Sequence, residues 1–180
     1  MKIRFPMSGA RFRAGWTLVE MMFAVGIGGV VMAAVVMLTL FSARSFYAMN
    51  NYDDLNRQSR LALDLMSREI RQAAALTSYS TNQLVFTDES GATFSYTYNS
   101  TNGTLVRSYG GVSTVVLSNI EAGQFAFEIS QRSPSNGFTF YPAGGASSAK
   151  LIDMTWRCSR SVLGVADTES MQMGRIVMRN

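Results

Sequence analysis

The sequence lacks histidine entirely, and Cys158 is its only cysteine. These absences exclude Ser-His-Asp and Cys-His nucleophile pairs and any metal site built from histidines or clustered cysteines. A disulfide within the chain is impossible. Because Cys158 lies in an alternating run, we interpret it as a small buried hydrophobic residue, the alternative being a reactive or intermolecular thiol. We therefore predict no enzymatic activity, no catalytic residue, no metal site and no cofactor.

Acidic residues are missing from the beginning of the chain. The first 15 residues contain none, although four of the 16 basic side chains lie there: Lys2, Arg4, Arg11 and Arg13. The other 12 basic side chains balance 12 acidic ones. No later run supplies the basic patch that nucleic-acid binding requires, so we predict no direct nucleic-acid partner.

A long apolar run is present instead. Residues 21–41 carry no charge, and as a helix these 21 residues would span roughly 31 Å, close to the ~30 Å hydrocarbon core of a bilayer. Because basic residues precede the run, we expect a single pass with the N-terminus in the cytoplasm and the rest outside. A cleaved secretory signal is the alternative, but its apolar core is shorter, about 7–15 residues.

Glu20 stands at the head of this run. A carboxylate that enters lipid or a packed interior is costly, and it marks a functional hypothesis. The alternative places Glu20 among the lipid headgroups, where it stabilises the positive end of the helix. Thr17, three residues earlier, completes the spacing of a capping box. The spacing alone favours neither interpretation.

Residues 15–20, with the sequence GWTLVE, followed by an apolar helix, resemble the prepilin peptidase motif of type IV pilins and type II secretion pseudopilins. The resemblance implies cleavage of a basic leader after Gly15 and N-methylation of the new N-terminal residue, Trp16. Family members usually carry Phe or Met at that position, so Trp16 keeps the bulky apolar character but departs in identity.

The same resemblance assigns roles to Thr17, Leu18 and Glu20. It implies that they serve recognition by the prepilin peptidase and pairing between subunits, the acid meeting the N-terminal amine of a neighbour. It also implies the partners: the peptidase, other pilin or pseudopilin subunits, an inner-membrane assembly platform and membrane lipid. Weaker similarities to the J-type minor pseudopilin and the W-type minor pilin lie in residues 61–73, residues 103–107 and the terminal Arg179-Asn180.

Beyond the apolar run, the pattern predicts a helix continuing to about Leu76. Residues 42–76 contain no proline or glycine, and apolar residues recur at intervals of three and four, which is typical of an amphipathic helix. We expect the downstream domain to fold on this stripe: Phe46, Met49, Tyr52, Leu55, Ala62, Met66, Ile70 and Ala73.

After a polar stretch at residues 77–83, the apolar period changes to two, which predicts strands. Asn102-Gly103 and Gly110-Gly111 are turn signals between such runs. Asp88-Glu89 is interpreted as a turn, and residues 133–137 and 141–148 as loops. The expected strands include residues 84–87, 94–98, 105–107, 112–117, 125–129, the pair Phe138 and Phe140, 152–158 and 174–178.

These patterns together predict an α+β fold, a long N-terminal transmembrane and amphipathic helix followed by a β-rich antiparallel globular domain, which is the pilin-like architecture that the resemblance implies. The expected divisions are a leader at 1–15, a transmembrane helix at 16–41, an amphipathic continuation at 42–76 and a periplasmic or extracellular domain at 77–180. The aromatic rows of the strands are typical of a core, a ligand-stacking surface being the alternative.

Two functions of different classes remain open. One is a minor pilin or pseudopilin of the bacterial inner membrane, assembling into a type II secretion pseudopilus or a type IV pilus. The other is a signal-anchored extracytoplasmic β-domain for ligand binding or adhesion. The motif at residues 15–20 discriminates them, since an ordinary anchor does not need it.

The motif predicts a mature N-terminus at Trp16, N-methylated, in cells that contain a prepilin peptidase. Intact mass or N-terminal sequencing measures this directly. Gly15→Leu should leave the precursor uncut in the membrane, because a large side chain at the cleavage site hinders entry of the backbone into the protease. Recovery of the uncut wild-type chain from peptidase-positive cells, or a cut near Ala43, contradicts the prediction.

Overall fold

The computed structural model describes residues 15–135, 139–162 and 165–178. The basic leader residues, Phe138 and the terminal Arg179-Asn180 lie outside the described residues. One long apolar N-terminal helix is followed by antiparallel sheets. The predicted α+β class is therefore confirmed.

The chain divides into two compact units, residues 1–43 and 44–180. Helix α1, Leu18–Gln72, has residues in both units. The strands all belong to the second unit: β1 Ala75–Ser80, β2 Gln83–Thr87, β3 Thr93–Asn99, β4 Thr104–Tyr109, β5 Val112–Leu117, β6 Ile120–Arg132, β7 Phe140–Pro142, β8 Leu151–Val162 and β9 Val165–Val177, with a short 3-10 helix η1, Ala146–Ser148, between β7 and β8.

The strands form two antiparallel sheets. Sheet A has the order β1-β2-β3-β4-β5, so each strand pairs with the next along the chain. Sheet B has the order β7-β6-β8-β9. The inner faces of both sheets and one stripe of α1 share a single apolar core. The sheets are joined there by the ring of Tyr98, which stacks on Phe125 with centroids 4.5 Å apart, and by the Tyr79 hydroxyl, which donates to the carbonyl of Phe127 at 2.9 Å.

The expected packing stripe of the helix is only partly covered. Its later members, from Leu55 to Ala73, are buried. Phe46, Met49 and Tyr52 remain 69%, 65% and 48% exposed, so the prediction that the domain folds on them is wrong. The apolar core of this unit includes residues of α1 only from Leu55 onward, so these three side chains lie outside it.

A polar residue occupies the centre of the buried stripe. Ser59 is fully buried between Leu55 and Ala62, and its hydroxyl accepts a hydrogen bond from the indole N–H of Trp156 at 3.2 Å. Trp156 is itself fully buried. A hydrophobicity pattern misses Ser59 because the residue is polar, yet a buried indole N–H requires such an acceptor.

Most strand predictions are confirmed. The alternating rows in β2, β3, β6 and β8 face the core, and the late row Ile152, Met154, Trp156 and Cys158 is fully buried, opposite the half-buried Asp153, Thr155 and Arg157. The two-glycine turn before β5 joins Tyr109 to Val112.

Two stretches predicted as loops contain strand residues, both in the second unit. Helix α1 ends at Gln72, and residues 75–80 form β1 instead of the last helical turn and a polar loop. The chain leaves the helix because β2 offers a free edge: the amide of Ala74 donates to the carbonyl of Thr87 at 2.8 Å, and Leu76 pairs with Phe86. Tyr141, expected in a loop, lies in β7.

The last strand is longer than the pattern indicated. Strand β9 begins at Val165 rather than Gly174. Its inward residues before Ile176 are polar or small because α1 approaches closely: Gln172 donates to the side-chain oxygen of Asn56 at 3.2 Å, and Leu63 fills the space beside Gly174. Met171 and Met173 lie at exposed positions. In this part of the strand the more hydrophobic face is the exposed one, so a hydrophobicity pattern identifies the wrong face as buried.

Gly103 and Gly110 provide a matched test of the turn geometry. They have nearly equal φ values, 59° and 57°, but a Cβ on Gly103 would lie 2.6 Å from the carbonyl oxygen of Ile120, whereas one on Gly110 meets nothing within 4 Å. Gly110→Ala should cost about 1–2 kcal/mol for the left-handed backbone alone. Gly103→Ala should cost clearly more, since the chain must also shift away from Ile120.

Urea unfolding of a truncated chain that starts at Arg44 measures both losses, with the wild-type fragment as reference. Equal losses for the two alanine variants contradict the close approach of the turn to Ile120.

Candidate functional site

The motif residues lie where the chain enters α1. Gly15, Trp16 and Thr17 precede the helix, and Leu18 is its first residue. Trp16 and Leu18 are 73% and 77% exposed. The junction between Gly15 and Trp16 is therefore in an exposed, non-helical segment.

Thr17 and Glu20 form a reciprocal capping box. The backbone N–H of Glu20 donates to the hydroxyl of Thr17 at 3.2 Å, and the backbone N–H of Thr17 donates to Oε2 of Glu20 at 3.2 Å. The Thr17 hydroxyl also donates to that oxygen at 3.2 Å. Two amide groups that the helix end leaves without partners are thereby satisfied, so the capping box that the spacing allowed is present.

The box leaves part of the carboxylate free for other interactions. All three hydrogen bonds between Thr17 and Glu20 involve Oε2 or the Thr17 hydroxyl, and Oε1 takes part in none of them. Glu20 is exposed, and its charge lies at the positive end of the helix. Capping and pairing with a second molecule are therefore compatible at this carboxylate.

The apolar run after Glu20 is exposed along its whole length. Every residue from 21 to 41 is exposed, and the helix is long and apolar enough to cross a membrane. Its hydroxyl at Thr39 is satisfied internally, donating to the carbonyl of Val36 at 2.8 Å. A core helix of a water-soluble protein would bury such a run, whereas an exposed apolar helix of this length is compatible with a membrane anchor.

Glycines lie near the start of that run. Gly26, Gly28 and Gly29 each have no heavy atom within 4 Å of the position where a side chain would begin. Small residues at such positions let a neighbouring helix approach the backbone closely. The segment therefore presents a surface on which another apolar helix can pack.

An ionic cluster holds the later part of α1 to sheet A. Arg107 places its guanidinium against Glu69, with Nη2 2.7 Å from Oε1 and Nε 2.9 Å from both carboxylate oxygens. The hydroxyl of Tyr96 donates to the same carboxylate at 2.5 Å. Burial is the main cause that raises the pKa of Tyr96 far above its usual range, and the hydrogen bond to the Glu69 carboxylate adds to it. Tyr96 thus remains a proton donor, which suits a structural role.

A second cluster holds an earlier turn of α1 to sheet B. Arg160 Nη1 donates to Oδ2 of Asp54 at 2.7 Å, and this hydrogen bond is the main cause that lowers the pKa of Asp54. Cys158 lies nearby and is fully buried, as the interpretation of it as a small hydrophobic residue predicted. Burial raises the pKa of its thiol to about 11, so at neutral pH the thiol is protonated and unreactive.

A surface depression lies at the end of α1. It has a volume of about 830 Å³ and is lined by residues 71–74 and 88–90. Asp88 Oδ1 accepts hydrogen bonds from the amide of Ser90 at 2.8 Å, its hydroxyl at 2.6 Å and the amide of Ala92 at 2.9 Å. These hydrogen bonds lower the pKa of Asp88, and the one from the Ser90 hydroxyl has the largest effect. The acid pair thus forms a turn, as predicted.

The described residues contain no group of three His, Cys, Asp or Glu side chains that could hold a metal ion. The clusters at Glu69 and Asp54 were not anticipated from the sequence. Each cluster joins residues far apart along the chain. The only signal in the sequence was the regular spacing of charged residues along α1, which did not identify their partners.

No family model, curated protein or solved structure matches this chain. Function is therefore argued from the motif, the capped helix start and the exposed apolar segment.

Proposed function

We propose that the chain is a minor pilin or pseudopilin, a membrane-anchored subunit that assembles into a type II secretion pseudopilus or a type IV pilus. One observation carries the proposal: a basic leader, Gly15, the Thr17-Leu18-Val19-Glu20 segment and an exposed apolar helix follow one another in fixed order. A plain membrane anchor requires the helix and the basic residues but has no use for the segment between them.

The proposed sequence of events begins at the inner membrane. The chain inserts with its N-terminus in the cytoplasm and its β-domain in the periplasm, because the leader is basic. The prepilin peptidase cleaves after Gly15, and Trp16 becomes the methylated N-terminus. The inner-membrane assembly platform then lifts the apolar helix out of lipid, with the work supplied by an ATPase elsewhere, and the helix packs among those of other subunits.

Glu20 has a defined part in the last step. When the helix leaves lipid headgroups for a packed apolar interior, its carboxylate loses water, and the N-terminal amine of a neighbour does the same. Opposite charges offset each other's desolvation, whereas either charge alone would be costly. The capping box keeps Oε2 occupied within the subunit, and Oε1 is the oxygen proposed to meet the neighbour's amine.

The exposed aromatic turns between the membrane run and the β-domain support the same proposal. Phe46, Met49 and Tyr52 remain largely or half exposed, although they continue the apolar stripe. Lipid headgroups accommodate such side chains before assembly, and neighbouring subunits would cover them afterwards.

An anchored β-domain for ligand binding or adhesion is the second candidate. The observation that favours it is the capping box itself, since a local role in stabilising the helix start accounts for Thr17 and Glu20 without any neighbour. The two candidates differ in what happens when Glu20 loses its charge.

Glu20→Gln separates them because glutamine retains an oxygen that accepts the capping hydrogen bond. If Glu20 pairs with a neighbour's amine, the variant leaves that amine in an apolar interior without its counter-charge, and incorporation should fall by more than about a hundredfold. Cleavage should proceed, since it precedes any contact with a neighbour. Intact mass measures processing, and crosslinking to partner subunits in the membrane measures assembly.

Thr17→Val is the matched control. It removes the hydroxyl of the capping box and leaves the carboxylate, so it should weaken the helix start by about 1 kcal/mol while assembly of the processed chains is retained. Normal assembly of Glu20→Gln would show that the acid only caps the helix, and it would favour the anchored β-domain.

A further inference from the structure

The two sheets have four edges, and each edge strand turns one row of backbone N–H and C=O groups away from its sheet. Such a row is a template for pairing with another chain, and natural proteins usually protect it by covering it, charging it or keeping it short. Sheet A ends in β1 and β5, and sheet B ends in β7 and β9.

Three of these edges have a neighbouring element, a short strand or charges. Helix η1 lies close to β1. Strand β7 has only three residues. Strand β9 carries charges that hold it to its neighbour: Glu169 Oε1 accepts from Nη2 of Arg157 at 2.5 Å, and Arg175 Nε donates to Oδ1 of Asp153 at 2.7 Å.

Strand β5 has none of these protections among the described residues. Its sequence, VSTVVL, contains no charge and no proline. Residues 112–115 are all exposed, Val112 at 66% and Val115 at 57%. The strand pairs with β4 on one side, and no hydrogen bond described for the chain reaches its other side. A register shift at Val116 leaves residues 112–115 as its regular part.

The outer face of sheet A continues this uncharged character across all five strands. One row of paired residues runs Ser78, Val85, Ser95, Ser108 and Ser113, and the next runs Ser80, Gln83, Thr97, Val106 and Val115. Neither row holds an Asp, Glu, Lys or Arg, although about a quarter to a third of an ordinary soluble surface is charged. A strand added beside β5 would meet no charge on this face.

We propose that β5 pairs antiparallel with β5 of a second copy of this chain, so that the two five-stranded sheets become one. The occupant follows from the composition of the strand. In an antiparallel pair of identical strands, every opposing pair within residues 112–115 is drawn from Val, Ser and Thr. These β-branched and hydroxyl pairs are favourable across strands, and no like charges are brought together. The pair has two-fold symmetry and closes at a dimer.

The contact is small, so the pair forms only where the concentration of the chain is high. Six residues span only about 20 Å, so the buried area falls well below the roughly 800 Å² per partner of a stable complex. Dilute chains should remain monomers. Two copies held in one membrane by the apolar part of α1 meet at a much higher effective concentration, which favours a weak pair. The inference rests on β5 and does not depend on filament assembly.

Cysteine crosslinking of the full chain in lipid vesicles tests the proposal, because the native Cys158 is buried and serves as the unreactive background. Single cysteines are placed at Val112, Ser113, Thr114 and Val115 and oxidised with copper phenanthroline. A two-fold pair crosslinks most strongly at the residue on its axis and weakly at the next residue, whose side chain faces the opposite side. Ser78→Cys, an exposed position on β1 at the other edge of the same sheet, is the matched control.

The charge test adds Ser113→Lys to the best crosslinking variant, or Val115→Lys where Ser113 carries the cysteine, because both positions lie in the uncharged rows of the outer face. Two lysines brought close together should reduce the crosslinked dimer about tenfold, whereas Ser78→Lys should leave it unchanged. Circular dichroism checks that the lysine variants fold, and if the β5 variant does not, the positional pattern decides. Crosslinking as strong at Ser78 as on β5, equal crosslinking along β5, a ladder beyond dimer or insensitivity to the lysine on β5 each overturns the proposal. So does crosslinking of β5 only to a different protein in native membranes.

Discussion

The 21 uncharged residues that follow Glu20 impose the constraint on which the rest of the account depends. All of their side chains are exposed, so the segment cannot remain in water and must be covered by lipid or by other apolar helices. A helix is the form that satisfies its backbone in either surrounding. We propose that lipid covers the segment first and that other apolar helices cover it once the chain has entered a filament.

The charge of Glu20 makes the proposed packing of these helices selective for the position of a neighbour. In the single chain its carboxylate is held by Thr17 in a capping box, at the positive end of the helix. That arrangement is adequate among headgroups, where water completes the solvation of the charge. A packed apolar interior removes the water, and a counter-charge is then required. The same side chain can therefore stabilise the helix start in one setting and select the position of a neighbour in the other.

The sequence predicted the parts of the fold in which hydrophobicity and burial agree. The buried rows of β2, β3 and β8 are examples, because each is set by residues close together along the chain. Prediction failed where long-range packing decides. Ser59 is buried because Trp156 needs an acceptor, β9 turns Gln172 and Gly174 inward because α1 lies close to it, and Phe46 lies outside the core that α1 shares with the sheets.

The ionic contacts of Glu69 with Arg107 and of Asp54 with Arg160 were invisible for the same reason, since each joins residues that only the folded domain brings together. At the candidate site the sequence named the residues and the local hydrogen bonds. Pairing with a neighbour depends on a second molecule, and neither the pattern nor the single chain contains it.

The central claim is that the apolar helix exchanges lipid for other helices after processing. Fractionation of peptidase-positive cells measures this directly, by asking whether the mature chain can be recovered without detergent in a sheared filament fraction together with other pilin-like subunits. The account predicts that the processed wild-type chain is found there and that the Gly15→Leu precursor stays in the membrane. A processed chain that is recovered only by dissolving the membrane would contradict it, because the helix would then have kept its lipid surroundings throughout.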